Sequence, residues 1–235
     1  MSKLILLRHG ESEGNVCRDL YYTKPTSKIE LTTKGKLQAY TAGERLAQSG
    51  HLSLPLVSFV SPYARTTGTW EYFSQGARDF LDADLLGSFQ EESLIREWDW
   101  GTYWAHRRFP ESTFESCMAD LAEDPQFYQF PCGESYAQVL SRANAFFYGR
   151  YLQLRGVLTD LEPHLLCGGS YDVVLVSHGN FIKAFLQVML GKDFEWQQQL
   201  DHLRNGEYLI WEYSYGKFDL VDGELRGERG GVLAL

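Results

Sequence analysis

Most marks of a membrane, metal-binding or nucleic-acid-binding protein are missing from this sequence. No window holds the roughly 18 consecutive apolar residues that a bilayer-crossing helix needs. The run Leu4-Ile5-Leu6-Leu7 is too short for the core of an export signal, and no cleavage pattern follows it. The four cysteines, Cys17, Cys117, Cys132 and Cys167, lie far apart and form no Cys-x-x-Cys. Without an export signal they read as reduced thiols rather than a disulfide framework or a zinc site. The six histidines form no His-x-His or His-Glu-x-x-His pair, so no local spacing announces a metal. Positive charge is in the minority: 22 Lys+Arg stand against 31 Asp+Glu, a formal net charge of −9. That balance argues against a nucleic-acid groove, while leaving room for a local basic pocket. Repeats and low-complexity blocks are absent as well. The expectation is a cytoplasmic protein with neither a membrane nor a nucleic acid as partner.

What is present is core-forming bulk. Of 235 residues 44% are hydrophobic, with 14 Phe, 14 Tyr and 6 Trp, which suits one domain with a sizeable interior. A single catalytic domain is expected over 1–222, with an insert or cap at 98–131. A glycine-rich C-terminal tail, 223–235, should be loosely held.

Lys3 to Leu7 reads as a strand buried on both faces. A long polar loop follows to Glu30. Thr32 or Thr33 should cap a helix reaching about Gln48, stopped by Gly50. Leu56 to Val60 reads as the next strand. Ser61-Pro62 then has the grammar of an N-cap with proline at the first helical position. Residues 76–93 look irregular and acidic. A helix is expected near Ser112–Ala122 and a long one over Glu134–Arg155. Asp172 to Val176 reads as another buried strand, passing through Ser177-His178-Gly179-Asn180 into a helix. Tyr208–Tyr213 and Lys217–Val221 should close the chain as a hairpin. Buried strands alternating with helices imply an α/β fold with a largely parallel sheet, in which ligands bind beyond the carboxyl ends of the strands. That rule selects Arg8-His9, Ser61 to Arg65 and His178-Gly179.

Two histidines and two arginines at three strand ends suit phosphoryl transfer. A moving phosphoryl group spreads its charge over three oxygens. Arginine forks and helix-start N–H groups can hold those oxygens. An imidazole can attack phosphorus and split the displacement into two steps. The leaving oxygen then needs a proton from a nearby carboxylic acid. Such a set calls for no metal and no other cofactor.

Leu7-Arg8-His9-Gly10-Glu11-Ser12-Glu13-Gly14-Asn15 resembles the opening signature of the histidine phosphatase superfamily, the phosphoglycerate-mutase-like proteins. Five further segments resemble that family's motifs in the same order: Leu31 to Gly35 with Gln38-Ala39, Ser61 to Thr66, Glu97-x-x-x-Gly101, Gly133-Glu134-Ser135, and Val176 to Gly179. The wording of Tyr22-Thr23-x-Pro25, Lys28 to Thr32, Ile95 to Gly101 and Phe127 to Ser135 is similar to plant- and fungal-type members, some of them broad-range phosphatases. The resemblance implies a three-layer sandwich with a mostly parallel central sheet and a helical or loop insert over the active site. It implies that His9 is the nucleophile, and that Arg8, Arg65, His178 and Asn15 hold the phosphoryl oxygens. The N–H groups after His178, beginning at Gly179, would add donors. Glu97 would be the proton donor, with Glu91, Glu92 and Asp99 as neighbouring carboxylates. Glu134 reads as a helix-start residue rather than a catalytic one.

The implied reaction is metal-independent hydrolysis of a small phosphorylated substrate through phosphohistidine. A phosphoglycerate-mutase-type phosphotransferase, a sugar-bisphosphate phosphatase and a non-catalytic phospholigand scaffold remain alternatives, and a homo-oligomer is left open. Arg107-Arg108-Phe109-Pro110 only faintly echoes the basic, proline-rich insert of the mutases. The segment Trp98 to Trp104 departs from its relatives, and with His106, Arg107 and Arg108 it is a candidate wall for an aromatic or anionic substrate pocket. At least two of its three tryptophans are expected to pack a core rather than wall a pocket.

Overall fold

The computed structural model describes residues 3–52, 55–101, 111–152, 171–214 and 217–227. Strand β1 (Lys3–Arg8) has Leu4 to Leu7 fully buried, and β4 (Asp172–Ser177) is buried at every residue. A strand covered on both faces has no side for polar residues, so both read as unbroken apolar runs. They pair in parallel, from Leu4 beside Val173 to Arg8 beside Ser177. On the far side of β4 lies β2 (Leu56–Val60), also parallel, and then β3 (Phe89–Glu91). On the far side of β1 lie β5 (Tyr208–Ser214) and β6 (Lys217–Asp222), each antiparallel to its neighbour. The order β3-β2-β4-β1-β5-β6 is thus a parallel sheet extended at one edge by a hairpin.

Between β1 and β2 come α1 (Glu13–Val16), α2 (Leu20–Thr23) and α3 (Thr33–Gln48). α4 (Ala64–Arg78) and α5 (Ala83–Leu86) precede β3. α6 (Glu111–Glu123) and α7 (Tyr136–Phe146) precede β4. α8 (Gly179–Met189) and α9 (Phe194–Gln199) precede β5. Alternate residues of β1 serve opposite layers. Leu4 and Leu6 join Val139, Phe146, Phe181 and Phe185 of α7 and α8. Ile5 and Leu7 join Leu46, Trp70 and Phe73 of α3 and α4. This is the expected three-layer α/β sandwich. α8 buries Phe181, Ile182, Phe185, Leu186 and Met189, each worth about 2 kcal/mol relative to exposure. No helix among the described residues is long and apolar enough to cross a membrane.

Several local expectations match. Thr32 caps α3, its hydroxyl accepting the Gly35 N–H at 3.0 Å, and Gly50 follows its end at φ +71°. Others are corrected. The polar stretch before Glu30 contains α1, α2 and a 3₁₀ turn at Thr26–Lys28. Residues 76–93 are not irregular: α4 runs to Arg78, and α5 and β3 follow. Ser61-Pro62 does not start α4. Its N-cap is Tyr63, and the Ser61 side chain is engaged elsewhere. The long helix begins at Tyr136 on a Ser135–Gln138 capping box, and a π-helical turn, Phe147–Tyr151, succeeds α7; Leu154 and Arg155 lie outside the described residues. The start of the supposed loose tail is anchored. Leu225 is 2% exposed, and the Arg226 carbonyl accepts the Asp201 N–H at 2.7 Å. Residues 228–235 lie outside the described part, as do 102–110 of the insert with Trp104, His106, Arg107 and Arg108.

Candidate active site

Three parallel strands end at one place. The register sets Arg8 beside Ser177 and Val60 beside Val176. One residue further on, the His9 N–H donates to the Ser177 carbonyl at 3.0 Å, and the Ser61 N–H to the Val176 carbonyl at 3.1 Å. His9, Ser61 and His178 therefore leave the sheet together, and the two imidazole centres are 5.2 Å apart.

His9 is 3% exposed, and its Nδ1 lies 2.7 Å from the Gly10 carbonyl. A carbonyl only accepts, so Nδ1 carries the proton and Nε2 keeps its lone pair. Burial holds the His9 pKa well below the ordinary histidine value, and the Arg65 and Arg8 charges lower it further. The free imidazole is a neutral base at neutral pH. His178 is fully buried with Nε2 2.7 Å from Ser61 Oγ. When that hydroxyl donates, the His178 proton sits on Nδ1, which has no partner among the described residues. Burial, then Arg65, His9 and Arg8, also keep His178 well below its ordinary value.

Arg8 donates through Nη1 to the Leu203 carbonyl, and Arg65 through Nη1 to the Thr26 carbonyl at 2.8 Å. The Arg65 guanidinium lies 4.8 Å from the centre of the Tyr63 ring. The Nε of each arginine is buried without a partner among the described residues. Burial lowers both guanidinium pKa values; Glu97 opposes this at Arg8, and Tyr21 and Glu97 oppose it at Arg65. Unpaired buried donors cost about 1–3 kcal/mol each unless something accepts from them. Two guanidinium groups and a donor imidazole around His9 are matched to an anion.

The loop after β1 is pinned at close quarters. A Cβ on Gly35 would come within 2.0 Å of the Glu11 carbonyl oxygen, so α3 approaches the loop only because residue 35 has none. Asn205 donates from Nδ2 to the His9 carbonyl at 3.1 Å and to Asn15 Oδ1 at 3.2 Å, and the Gly206 N–H reaches the Arg8 and His9 carbonyls. Asn205 escapes sequence reading because it sits 196 residues from His9; its only local signal is the Asn-Gly turn dipeptide. Asn15 lines the cavity. Its Oδ1 caps α1 by accepting from Ser12, which leaves its amide hydrogens as what it can offer an anion. Gly179 begins α8 behind Arg8: a Cβ there would lie 3.4 Å from the guanidinium carbon.

Glu97 lines the same cavity, about 480 Å³ in volume, and its Oε1 accepts the Trp98 N–H at 2.9 Å. Of its neighbours only Asp99 also faces the cavity. Glu91 is exposed, and buried Glu92 caps the Leu94 N–H at 3.0 Å. The segment carrying Glu97 is gripped from α7. Arg142 donates to the carbonyls of Leu94, Arg96 and Glu97, and it forms a two-pronged pair with Glu134 at 2.9 and 2.8 Å. Glu134 also takes Arg96 and the Asp99 N–H. It is thus an ionic node rather than a simple helix-start residue, and Arg142 was not read from the sequence at all. Trp98 and Trp100 are half-buried and do both: they pack on neighbouring groups, and against the expectation that two of the tryptophans would serve a core rather than a pocket, they line the cavity. Trp98 donates to the Glu134 carbonyl at 2.7 Å, and Trp100 stacks on Phe130 with ring centres 4.9 Å apart.

A buried, cation-flanked imidazole base lining one cavity with a carboxylate is an arrangement suited to holding a phosphoryl anion. The chain belongs to the histidine phosphatase superfamily (branch 1), whose sequence profile matches residues 4–224. It is 33% identical over 222 residues to the phosphoglycerate mutase-like protein AT74 of Arabidopsis thaliana, covering 91% of this chain and 66% of that one, just under two thirds of the relative's length. It is 31% identical over 188 residues to an acid phosphatase of Mycobacterium tuberculosis, covering 78% of this chain and 73% of that one. Among solved structures it resembles the protein of open reading frame Rv3214 from Mycobacterium tuberculosis. The TM-score is 0.62 at 26% identity, over 94% of this chain and 96% of that one.

Proposed function

We propose that the protein hydrolyses phosphomonoesters by two successive displacements at phosphorus, through a phosphohistidine on His9. His9 Nε2 attacks phosphorus, the P–N bond forms and the ester P–O bond breaks. The departing alkoxide takes the proton of Glu97. Glu97, now a carboxylate, accepts a proton from the water that cleaves the P–N bond, returning neutral His9 and inorganic phosphate. Arg8, Arg65, the Nδ1–H of His178, the Gly179 N–H and Asn15 are assigned to the phosphoryl oxygens. These fixed donors supply the charge neutralisation that phosphoryl transfer demands, so no metal enters the scheme. The single observation that carries the proposal is the Nδ1 to Gly10 carbonyl contact of 2.7 Å, which leaves Nε2 as a base between two guanidinium groups.

A mutase or a bisphosphatase would need a second anion site. Beyond Arg8 and Arg65, the cation lining the described part of the cavity is Arg18, which is exposed. This favours a monoesterase. The free thiols of Cys17, Cys117 and Cys132 suit a reducing cytoplasm. Hydrolysis of p-nitrophenyl phosphate, with and without chelator, tests the reading. Turnover insensitive to chelator, together with no interconversion of phosphoglycerates, is expected. Interconversion faster than hydrolysis would favour the mutase, and no turnover at all would leave a binding protein.

A further inference from the structure

We propose that the organic half of the substrate is a planar apolar ring system, held against an indole wall formed by Trp98 and Trp100. This rests on the phosphatase reading above and names its substrate class. In an in-line displacement the ester oxygen lies on the side of phosphorus opposite His9 Nε2. Glu97 must reach that oxygen to protonate it. The carbon skeleton therefore begins beside Glu97, and the next residue in the chain is Trp98.

The cavity that holds His9 and Glu97 is also lined by Trp98, Trp100, Tyr21, Tyr63 and Met118. The two indoles are fixed by neighbouring groups. Trp98 is tied to the Glu134 carbonyl at 2.7 Å, Trp100 is stacked on fully buried Phe130, and the indole centres are 5.2 Å apart at 49°. A wall already fixed by packing loses little freedom when a ligand stacks on it. Aromatic rings prefer offset or edge contacts of this kind. Among the described residues, the polar side chains lining the cavity beyond the phosphoryl end are Arg18, Thr26, Asp99, Asn180 and the Tyr21 and Tyr63 hydroxyls. Arg8 and Arg65 are committed to carbonyls and to the phosphoryl end, and Arg18 is exposed. Asp99 also lines the cavity, with Oδ1 accepting the Gly101 N–H at 2.8 Å, and its negative charge disfavours a second anion there. At about 480 Å³ the cavity is within the ordinary range for a small-molecule site and holds a phosphoryl group with a ring.

The test uses esters with similar alkoxide leaving groups, so that leaving-group acidity does not enter. 2-Phenylethyl phosphate is compared with glycerol 1-phosphate and 3-phosphoglycerate, and phenylphosphonate with methylphosphonate as inhibitors. The expected result is a kcat/KM about tenfold or more higher for the phenylethyl ester, carried mainly by KM, and tighter inhibition by phenylphosphonate. Trp100→Ala should cut the phenylethyl ester about tenfold and glycerol 1-phosphate less than about threefold, while Trp100→Phe keeps the preference. If Trp100→Ala does not fold, the wild-type preference and Trp100→Phe decide. Glycerol 1-phosphate or 3-phosphoglycerate turned over as well as the phenylethyl ester would overturn the ring assignment while leaving the phosphatase standing. So would equal losses on both esters in Trp100→Ala. Absence of turnover on every ester, with phenylphosphonate still bound more tightly, would overturn the phosphatase reading and leave the ring site standing.

Discussion

Ser61 Oγ and His178 Nε2 lie 2.7 Å apart in the buried interior at the ends of β2 and β4, although 117 residues separate them in sequence. When the Ser61 hydroxyl donates in this contact, the His178 proton sits on Nδ1. With the hydroxyl donating, Nδ1–H becomes a donor for a phosphoryl oxygen. Ser61→Ala removes that preference for the cost of one hydrogen bond, about 1 kcal/mol. Inhibition by vanadate should weaken about fivefold, with a matching rise in KM. An unchanged inhibition constant would mean that His178 is oriented by something else.

Glu97 is tested by the leaving group. An alkoxide needs a proton as the P–O bond breaks, whereas p-nitrophenolate departs without one. Glu97→Gln should therefore lower kcat by about 100-fold or more on an alkyl phosphate. The loss on p-nitrophenyl phosphate should be much smaller. Equal losses on both esters would remove the proton-donor role, and Asp99, the other cavity carboxylate, would be examined next.

The pair between Arg142 and Glu134 gives a stability prediction. Arg142 is 9% exposed and holds three carbonyls of the segment carrying Glu97. Arg142→Met leaves Glu134 only Arg96 and the Asp99 N–H and takes the donor from three carbonyls, and it should cost about 3 kcal/mol in urea unfolding. Arg96→Met, at the more exposed end of the same node, should cost about 1 kcal/mol or less. Joint replacement of Arg142 and Glu134 by apolar residues should recover part of the loss. A small effect from Arg142→Met would show that the node is solvated.

Histidine burial gives a pH prediction. Burial first, and neighbouring cations second, hold His9 and His178 well below the ordinary value. Unfolded, each takes a proton near pH 6.5; folded, only at lower pH. Within that window the unfolded chain binds more protons, so stability rises with pH and is lost as pH falls below about 6.5. The slope is up to about 1.4 kcal/mol per pH unit for each histidine. Tm should fall between pH 7 and 5, before carboxylates titrate, and His178→Asn should flatten the fall. A Tm that holds steady across that range would contradict buried neutral imidazoles.

What sequence reading captured follows from locality. The buried runs of β1 and β4, and the residues directly after them, announce themselves because apolar continuity and its abrupt end lie within a few positions. Thr32 at the start of α3 is legible for the same reason. What it missed depends on distance. Ser61-Pro62 has the local grammar of a helix cap, yet the Ser61 hydroxyl is taken by His178 at the end of another strand. Arg142 sits beside Ala143 on the buried face of α7, where a cation looks out of place until Glu134 and the carbonyls of 94–97 surround it. Leu225 is a lone apolar residue between Glu224 and Arg226, so its burial beside α8 and the 200–203 segment leaves no pattern to read.

The most direct measurement is rapid acid-free quenching of the enzyme during turnover of a ³²P-labelled monoester, followed by peptide mapping. One phosphate per chain should be found on His9, stable to base and labile to acid, and lost in His9→Ala along with turnover. Label on another residue, or full turnover with no labelled protein at any time, would contradict the double displacement through His9.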